Sequence, residues 1–393
     1  MHNDPVIVDI VRSPMGRGKP GGSLSAVHPA DLLAQTLQGL FARNPRVDPG
    51  AVDDVIVGCV SQAGEQGFPT GRSAWLAAGY PVHVPSTTVD RRCGSSQQAL
   101  QFAAQAVASG DQEIVLAGGI ESMSRVPMGS ARLGKDVFGA GYGARYLLNV
   151  GQGVAAELVA ARWGIDRAEM DRYAARSHAL ADSARADGRL AREIVPIMTP
   201  DGTVDADETI RPDTTAEGLG TLRAAFEDPA LMQSFPDIRW SVSAGNSSQI
   251  TDGASMALIM SASRAAGLGL RPRARFVAFD VIADDPVMML TAPIPATRRV
   301  LAKAGLAIGD IDHLEVNEAF ASVPLAWQRE LGSDPDRLNP RGGAIALGHP
   351  LGASGTRLMA SLVSGLEETG GRYGLQVMCE AGGQANATII ERI

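Results

Sequence analysis

VDDVIVGCVSQ (Val52–Gln62) and IDHLEVNEAFA (Ile311–Ala321) read as two versions of one strand and turn, each placed after a helical pattern. The likeness extends outward from them. The helix pattern Gln97–Ser109, followed by the strand pattern Glu113–Gly118, parallels the helix pattern Gly355–Glu367 followed by Tyr373–Cys379. The offset holds at 259 to 262 residues, as between Val57 and Val316 or Val115 and Val377, which is the mark of an internal duplication. The strands EIVLAG and YGLQVMC are near-continuously apolar, as strands covered on both faces are. The fold class is therefore α/β in two duplicated halves. Residues 122–249 interrupt the pattern with Met- and Gly-rich loops, two helix patterns and a polar, Pro-containing stretch. The expected organisation is an N-terminal half of 1–121 and 250–270, an inserted loop domain of 122–249, and a C-terminal half of 271–393.

Composition narrows the classes of function. With 35 basic against 43 acidic residues the formal net charge is −8, so no global field draws the chain to nucleic acid or an anionic membrane. A phosphate-bearing ligand has to be held locally. Three widely spaced cysteines, Cys59, Cys93 and Cys379, argue against a disulfide framework or a CxxC metal or redox site and fit a reducing compartment. The histidines other than His349 show no metal-ligand spacing, so no metal is expected. No apolar run approaches the ~18 residues of a membrane span, and the opening residues lack the pattern of an export signal. A cytoplasmic protein without membrane insertion is expected.

Cys93 lies in PSTTVDRRCGSSQQAL, between a β-branched run and a helix whose Ala99, Phe102, Ala103, Ala106 and Val107 form the expected apolar stripe. At a helix start, free N–H groups and the helix dipole favour a thiolate and can stabilise an oxyanion. A lone cysteine is otherwise most often a small core residue. His349, in NPRGGAIALGHPLGASGTRLM, occupies a second Gly-rich loop ahead of a helix, the counterpart of the first. In a two-half fold equivalent helix starts can converge, which sets an imidazole beside a thiol, an activated nucleophile. Cys379 ends a strand and opens CEAGGQANA, where α/β proteins place ligand-contacting groups. Asn317, in EVNEAF, also ends a strand; it can hold a water or carbonyl oxygen, or simply cap a helix. Cys59 reads as core. Nucleophile, base, second thiol and oxyanion donors together are what a Claisen condensation or its reversal needs; a hydrolase needs one cysteine only.

These stretches, together with RSPMGRGKPGGSL, SAGNSSQITDGA, APIPA, GGAIALGHPLGASG and CEAGGQANATII, resemble the thiolase family over nearly the whole chain. The resemblance implies a five-layered α-β-α-β-α sandwich with an inserted loop domain, assembled as a homodimer or homotetramer. It implies Cys93 as the acylated nucleophile, His349 as the base that deprotonates it, and Cys379 as the thiol exchanging the α-proton. Asn317 would hold a water that, with His349, stabilises the enolate oxygen; the N–H groups of Cys93 and Ala381 would form a second oxyanion hole. Coenzyme A enters as a substrate, with no tightly bound cofactor. Arg211 would lie near its phosphates, Phe226 against the adenine or pantetheine, Ala244, Ser248, Ala319 and Phe320 along the pantetheine tunnel, and Met289 in the acyl pocket.

Three departures refine the expectation. Ala381 stands where relatives often have the first glycine of Cys-x-Gly-Gly-Gly, which restricts φ. Gly151 and Gln152 replace a His-Met pair usual in acetoacetyl-CoA-forming members, which favours a larger acyl pocket. The Glu227–Trp240 link is longer than in short members. The leading expectation is a 3-ketoacyl-CoA thiolase releasing acetyl-CoA or propionyl-CoA, for a fatty or ring-derived acyl group. The alternatives are a biosynthetic acetyl-CoA acetyltransferase and a non-catalytic CoA- or lipid-binding relative.

Overall fold

The computed structural model of the chain describes residues 3–146 and 150–393. Its strands are β1 (Pro5–Arg12), β2 (Gly16–Arg17), β3 (Asp54–Gly58), β4 (Ser86–Val89), β5 (Ile114–Ser122), β6 (Ile197–Thr199), β7 (Gly202–Val204), β8 (Thr251–Ser261), β9 (Ala274–Ala283), β10 (His313–Val316), β11 (Tyr373–Glu380) and β12 (Gln384–Arg392). All but the β6–β7 hairpin join one sheet, in the order β10-β11-β12-β9-β1-β8-β5-β3-β4, with β2 on β8.

That order is the duplication made visible. β3 runs parallel to β5 as β10 runs parallel to β11, and the next neighbours, β5/β8 and β11/β12, are antiparallel in both halves. β8 pairs with β1 as β12 pairs with β9, again antiparallel. The halves meet edge to edge through two residue pairs, Val6 with Arg275 and Ile7 with Ala274. Among the described residues, β2 has no counterpart in the second half and β4 lacks a full one, its place being marked by the isolated parallel bridge from Leu314 to Leu338.

Side chains alternate across each half of the sheet and so feed separate cores. On β5, Ile114 and Leu116 join a core with Leu33, Leu37 and Trp75, whose helices, Pro29–Arg43 and Thr70–Ala77, cover the outside. Val115 and Ala117 face inward to a core shared with Leu100, Val107, Leu362 and Ile390. In the C-terminal half, Val316, Leu375 and Ile389 pack under Val300 and Trp327, from helices Pro293–Ala304 and Ser322–Leu331. Helices Ser95–Ser109 and Ser354–Thr369 lie between the two halves of the sheet, giving five layers. All nine residues of β5 and all eleven of β8 are buried, as strands covered on both faces require. Each fully buried Leu or Ile here contributes about 1.5–3 kcal/mol.

The apolar stripe expected on the Ser95–Ser109 helix needs one correction. Ala99, Ala103 and Val107 are fully buried, but Phe102 is 42% exposed. The first turns lie between the two halves of the sheet and are buried all round, Ser95 through Leu100 included, so the true inner face runs through Leu100 and Ala104 rather than Phe102. Close approach of the two central helices is possible because Gly355 has no side chain: a Cβ there would lie 2.4 Å from the Gln97 nitrogen.

Candidate active site

β4 ends at Val89, and the chain turns into the Ser95–Ser109 helix through Asp90–Gly94. Asp90 Oδ1 accepts from the Arg92 N–H at 2.8 Å, and Arg92 takes a left-handed backbone, φ 50°. Ser95 Oγ accepts from the Arg91 N–H at 2.9 Å. This tight turn delivers Cys93 to the helix start, buried against Val60, Met123, Leu351, Leu358 and Met378. Leu351 belongs to the His349 loop and Met378 precedes Cys379. Three remote stretches therefore meet at this cysteine.

The His349 loop is held from several sides. Its N–H faces the Gln249 carbonyl at 3.2 Å and Thr251 Oγ1 at 3.1 Å. Glu121, at the end of β5, accepts from the N–H groups of Val60, Ser61 and Gly352, each at 2.9 Å, binding the loop after β3 to the loop after His349. The imidazole Nδ1 lies 2.6 Å from Ser354 Oγ, whose single proton is donated to the Pro350 carbonyl at 2.8 Å. Ser354 can therefore only accept from the ring, which puts the imidazole proton on Nδ1 and leaves Nε2 a lone pair. Nε2 is 3.4 Å from Asn317 Nδ2, and the same amide nitrogen lies 3.7 Å from Cys379 Sγ. Asn317 is fixed by its N–H to the Val377 carbonyl at 3.0 Å, while its buried Oδ1 has no partner among the described residues.

Electrostatics make the resting site neutral. Burial, with help from the positive charge of Arg357, pushes His349 down to about 3. Burial also raises Cys93 well above an ordinary thiol, reinforced by Cys379 and Glu380; the N–H groups of Cys93 and Ala381 pull the other way. Cys379 is pushed up to about 11, by burial and then Glu380, against the Asn317 amide. A neutral thiol with a neutral imidazole in the same pocket can lose its proton in step with bond formation at sulfur. Ala381 adds no strain to this arrangement, since the left-handed backbone of its loop falls on Gly382 (φ 89°) and Gly383 (φ 77°).

Met289, Ala319 and Phe320 share one apolar cluster with Cys379, and Phe226 packs against it. Phe226 meets Phe320 edge to face, centroids 5.6 Å apart. The Ser248 N–H donates to the Ala319 carbonyl at 2.9 Å. Arg211 is exposed and donates to Gln249 Oε1 at 3.1 Å, so it is joined through Gln249 to the His349 loop. Ala244 is exposed at the start of a short turn, Ala244–Asn246. Cys59 is a fully buried core residue of the N-terminal half, apart from this set. Glu121, Arg357 and Glu380 are not singled out by the sequence, because nothing local marks a carboxylate or guanidinium as buried. Ser354 could have been found, five residues beyond His349.

The thiolase N-terminal domain family matches residues 5–263 and the thiolase C-terminal domain family residues 270–392. The chain belongs to the thiolase family. It is 46% identical to the steroid 3-ketoacyl-CoA thiolase FadA6 of Mycobacterium tuberculosis, over 98% of this chain and 94% of that one. It is 45% identical to a 3-ketoacyl-CoA thiolase of Vibrio cholerae, over 99% of this chain and all of that one. The acetyl-CoA acetyltransferase structure of Bacillus anthracis superposes on all of this thiolase chain and 99% of its own, with TM-score 0.87 and 36% identity. Among the described residues no helix is long and apolar enough to cross a membrane.

Proposed function

We propose that this thiolase is a degradative 3-ketoacyl-CoA thiolase working through a Cys93 acyl-enzyme. The observation that carries the reading is the shared amide: Asn317 Nδ2 reaches both His349 Nε2 and Cys379 Sγ, while Cys93 packs on the neighbours of both. The Cys93 proton passes to His349 Nε2 as the sulfur attacks the 3-keto carbon, and the developing oxyanion is met by the N–H groups of Cys93 and Ala381. When the bond between C2 and C3 breaks, its electron pair leaves as the enolate of acetyl-CoA or propionyl-CoA, facing Asn317 and His349. Cys379 protonates that carbon. Incoming CoA gives its thiol proton to the Cys379 thiolate, its sulfur takes the acyl group from Cys93, and His349 returns the first proton.

Coenzyme A is a substrate in this reading, and no tightly bound cofactor takes part. It lies along Arg211, Phe226, Ala244 and Ser248 in the loop domain of residues 122–249, with Ala319, Phe320 and Met289 nearer the chemistry. A bulky or ring-derived acyl group is part of the proposal, supported by the likeness to a steroid 3-ketoacyl-CoA thiolase. The names of the similar 3-ketoacyl-CoA thiolases agree with degradation. Three free thiols suit the cytoplasm, and assembly as a homodimer or homotetramer is part of the proposal.

Mass spectrometry after incubation with an acyl-CoA tests it. The acyl adduct should appear on Cys93 and vanish in Cys93→Ala, while Cys379→Ala should acylate yet fail to exchange carbon–carbon bonds. An unmodified Cys93, or a thiolytically active variant of either cysteine, removes the mechanism. Thiolysis across esters of graded bulk settles the acyl class.

A further inference from the structure

Directly after Cys379 the chain carries an acid that the chemistry above leaves unused. Glu380 has no exposed surface, and neither carboxyl oxygen has a hydrogen-bond partner among the described residues. Its place is set by Gly94, the neighbour of Cys93: a Cβ on Gly94 would lie 1.8 Å from Glu380 Oε1 and 2.7 Å from Cδ. The carboxyl is thus pressed against the backbone that carries the nucleophile. On the other side it adjoins Ala381, whose N–H works against the rise of the Cys93 thiol.

The charged and titratable groups around it come from three segments. Asp90, Arg91 and Cys93 lie on the turn before the Ser95–Ser109 helix, Cys379 precedes it on β11, and the Asn386 N–H faces it from β12. Burial holds its carboxyl far above the usual range, Arg91 and the Asn386 N–H oppose that, and Asp90 adds to it. Arg91 is itself committed, donating to Gln384 Oε1 at 3.2 Å with its Nε unpartnered. An unpartnered buried acid is costly, and apolar replacement there is expected to relieve that cost rather than add to it.

We propose that Glu380 sets the ionisation of the Cys93 nucleophile, a positioning residue that acts on the sulfur across Gly94 without touching substrate. Neutral, it leaves thiolate formation to His349 and the two N–H groups; ionised, it places a negative charge beside the sulfur and resists a second one. The inference rests on Cys93 being the nucleophile, and the test separates the two. The rate of Cys93 alkylation by iodoacetamide, read by peptide mass spectrometry, is followed across pH in wild type, Glu380→Gln and Glu380→Leu. Both variants remove the charge, and Leu also removes the unpartnered oxygens, so a folded sample is secured. The midpoint should fall in both by about one unit, a gain of roughly five- to tenfold in rate on the alkaline limb, where Glu380 is ionised as the thiol titrates. Glu380→Asp, which keeps the acid, should hold the raised midpoint. Unchanged midpoints in the Gln and Leu variants overturn the role of Glu380. An absence of acylation on wild-type Cys93 overturns the nucleophile assignment instead.

Discussion

Replacing Ser354 by alanine tests the proposed base at its least conspicuous point. In the intact site Ser354 Oγ gives its proton to Pro350 and receives the His349 Nδ1 proton at 2.6 Å, so the lone pair stays on Nε2. Without the oxygen, a ring N–H is left buried without an acceptor, at a cost of about 1–3 kcal/mol. The ring can escape that cost by tautomerising, which puts the proton on Nε2 and removes the base. At about 1.4 kcal/mol per factor of ten, kcat for thiolysis should fall roughly 10- to 100-fold. KM for CoA should change little, since no proposed CoA contact touches Ser354. Ser361, on the same helix, is the control: its buried Oγ has no partner, so Ser361→Ala should stay within about twofold of wild type. Steady-state thiolysis and a thermal melt on the two variants suffice. A Ser354→Ala enzyme as active as the control refutes the tautomer argument.

Other perturbations carry equally definite signs. His349 is held at about 3 and, through burial and then Arg211, His178 at about 4, so the unfolded chain takes up protons near pH 6.5 that the folded chain refuses. Their contribution to stability is full above that pH and is lost as pH falls; in urea unfolding, the margin of wild type over His349→Gln should shrink by about 2 kcal/mol by pH 5, and a constant margin contradicts the shift. Glu121→Ala orphans three buried N–H groups and should destabilise by roughly 3 kcal/mol or more, visible as a lower melting temperature. Gly153→Ala would put a methyl 2.1 Å from Phe226 Cγ; displacing that ring should raise KM for CoA about fivefold, the worth of roughly 1 kcal/mol of aromatic contact, with kcat preserved.

The repeat was legible because strands buried on both faces leave continuous apolar runs, and the offset from Val57 to Val316 survived in them. Cys93, His349 and Cys379 stand out in the sequence because each lies at a strand end or helix start in a Gly-rich setting, and Asn317 because it ends a strand ahead of a helix. What was hidden depends on through-space neighbours. Phe102 satisfies the helical spacing yet faces outward, because the other half of the sheet, not the helix's own sequence, decides which sides are covered. Likewise nothing around Glu121 announces that it accepts from a loop more than 200 residues away, and Glu380 looks like any charged residue beside a turn. The concern over Ala381 dissolves for a local reason: the two glycines after it absorb the left-handed geometry.

A neutral, enclosed pair of sulfurs has a consequence for survival in an oxidising moment. Peroxide attacks thiolates that it can reach, and Cys93 and Cys379 are both covered and protonated at rest. Each is expected to climb toward sulfenic acid more slowly than a surface sensor cysteine.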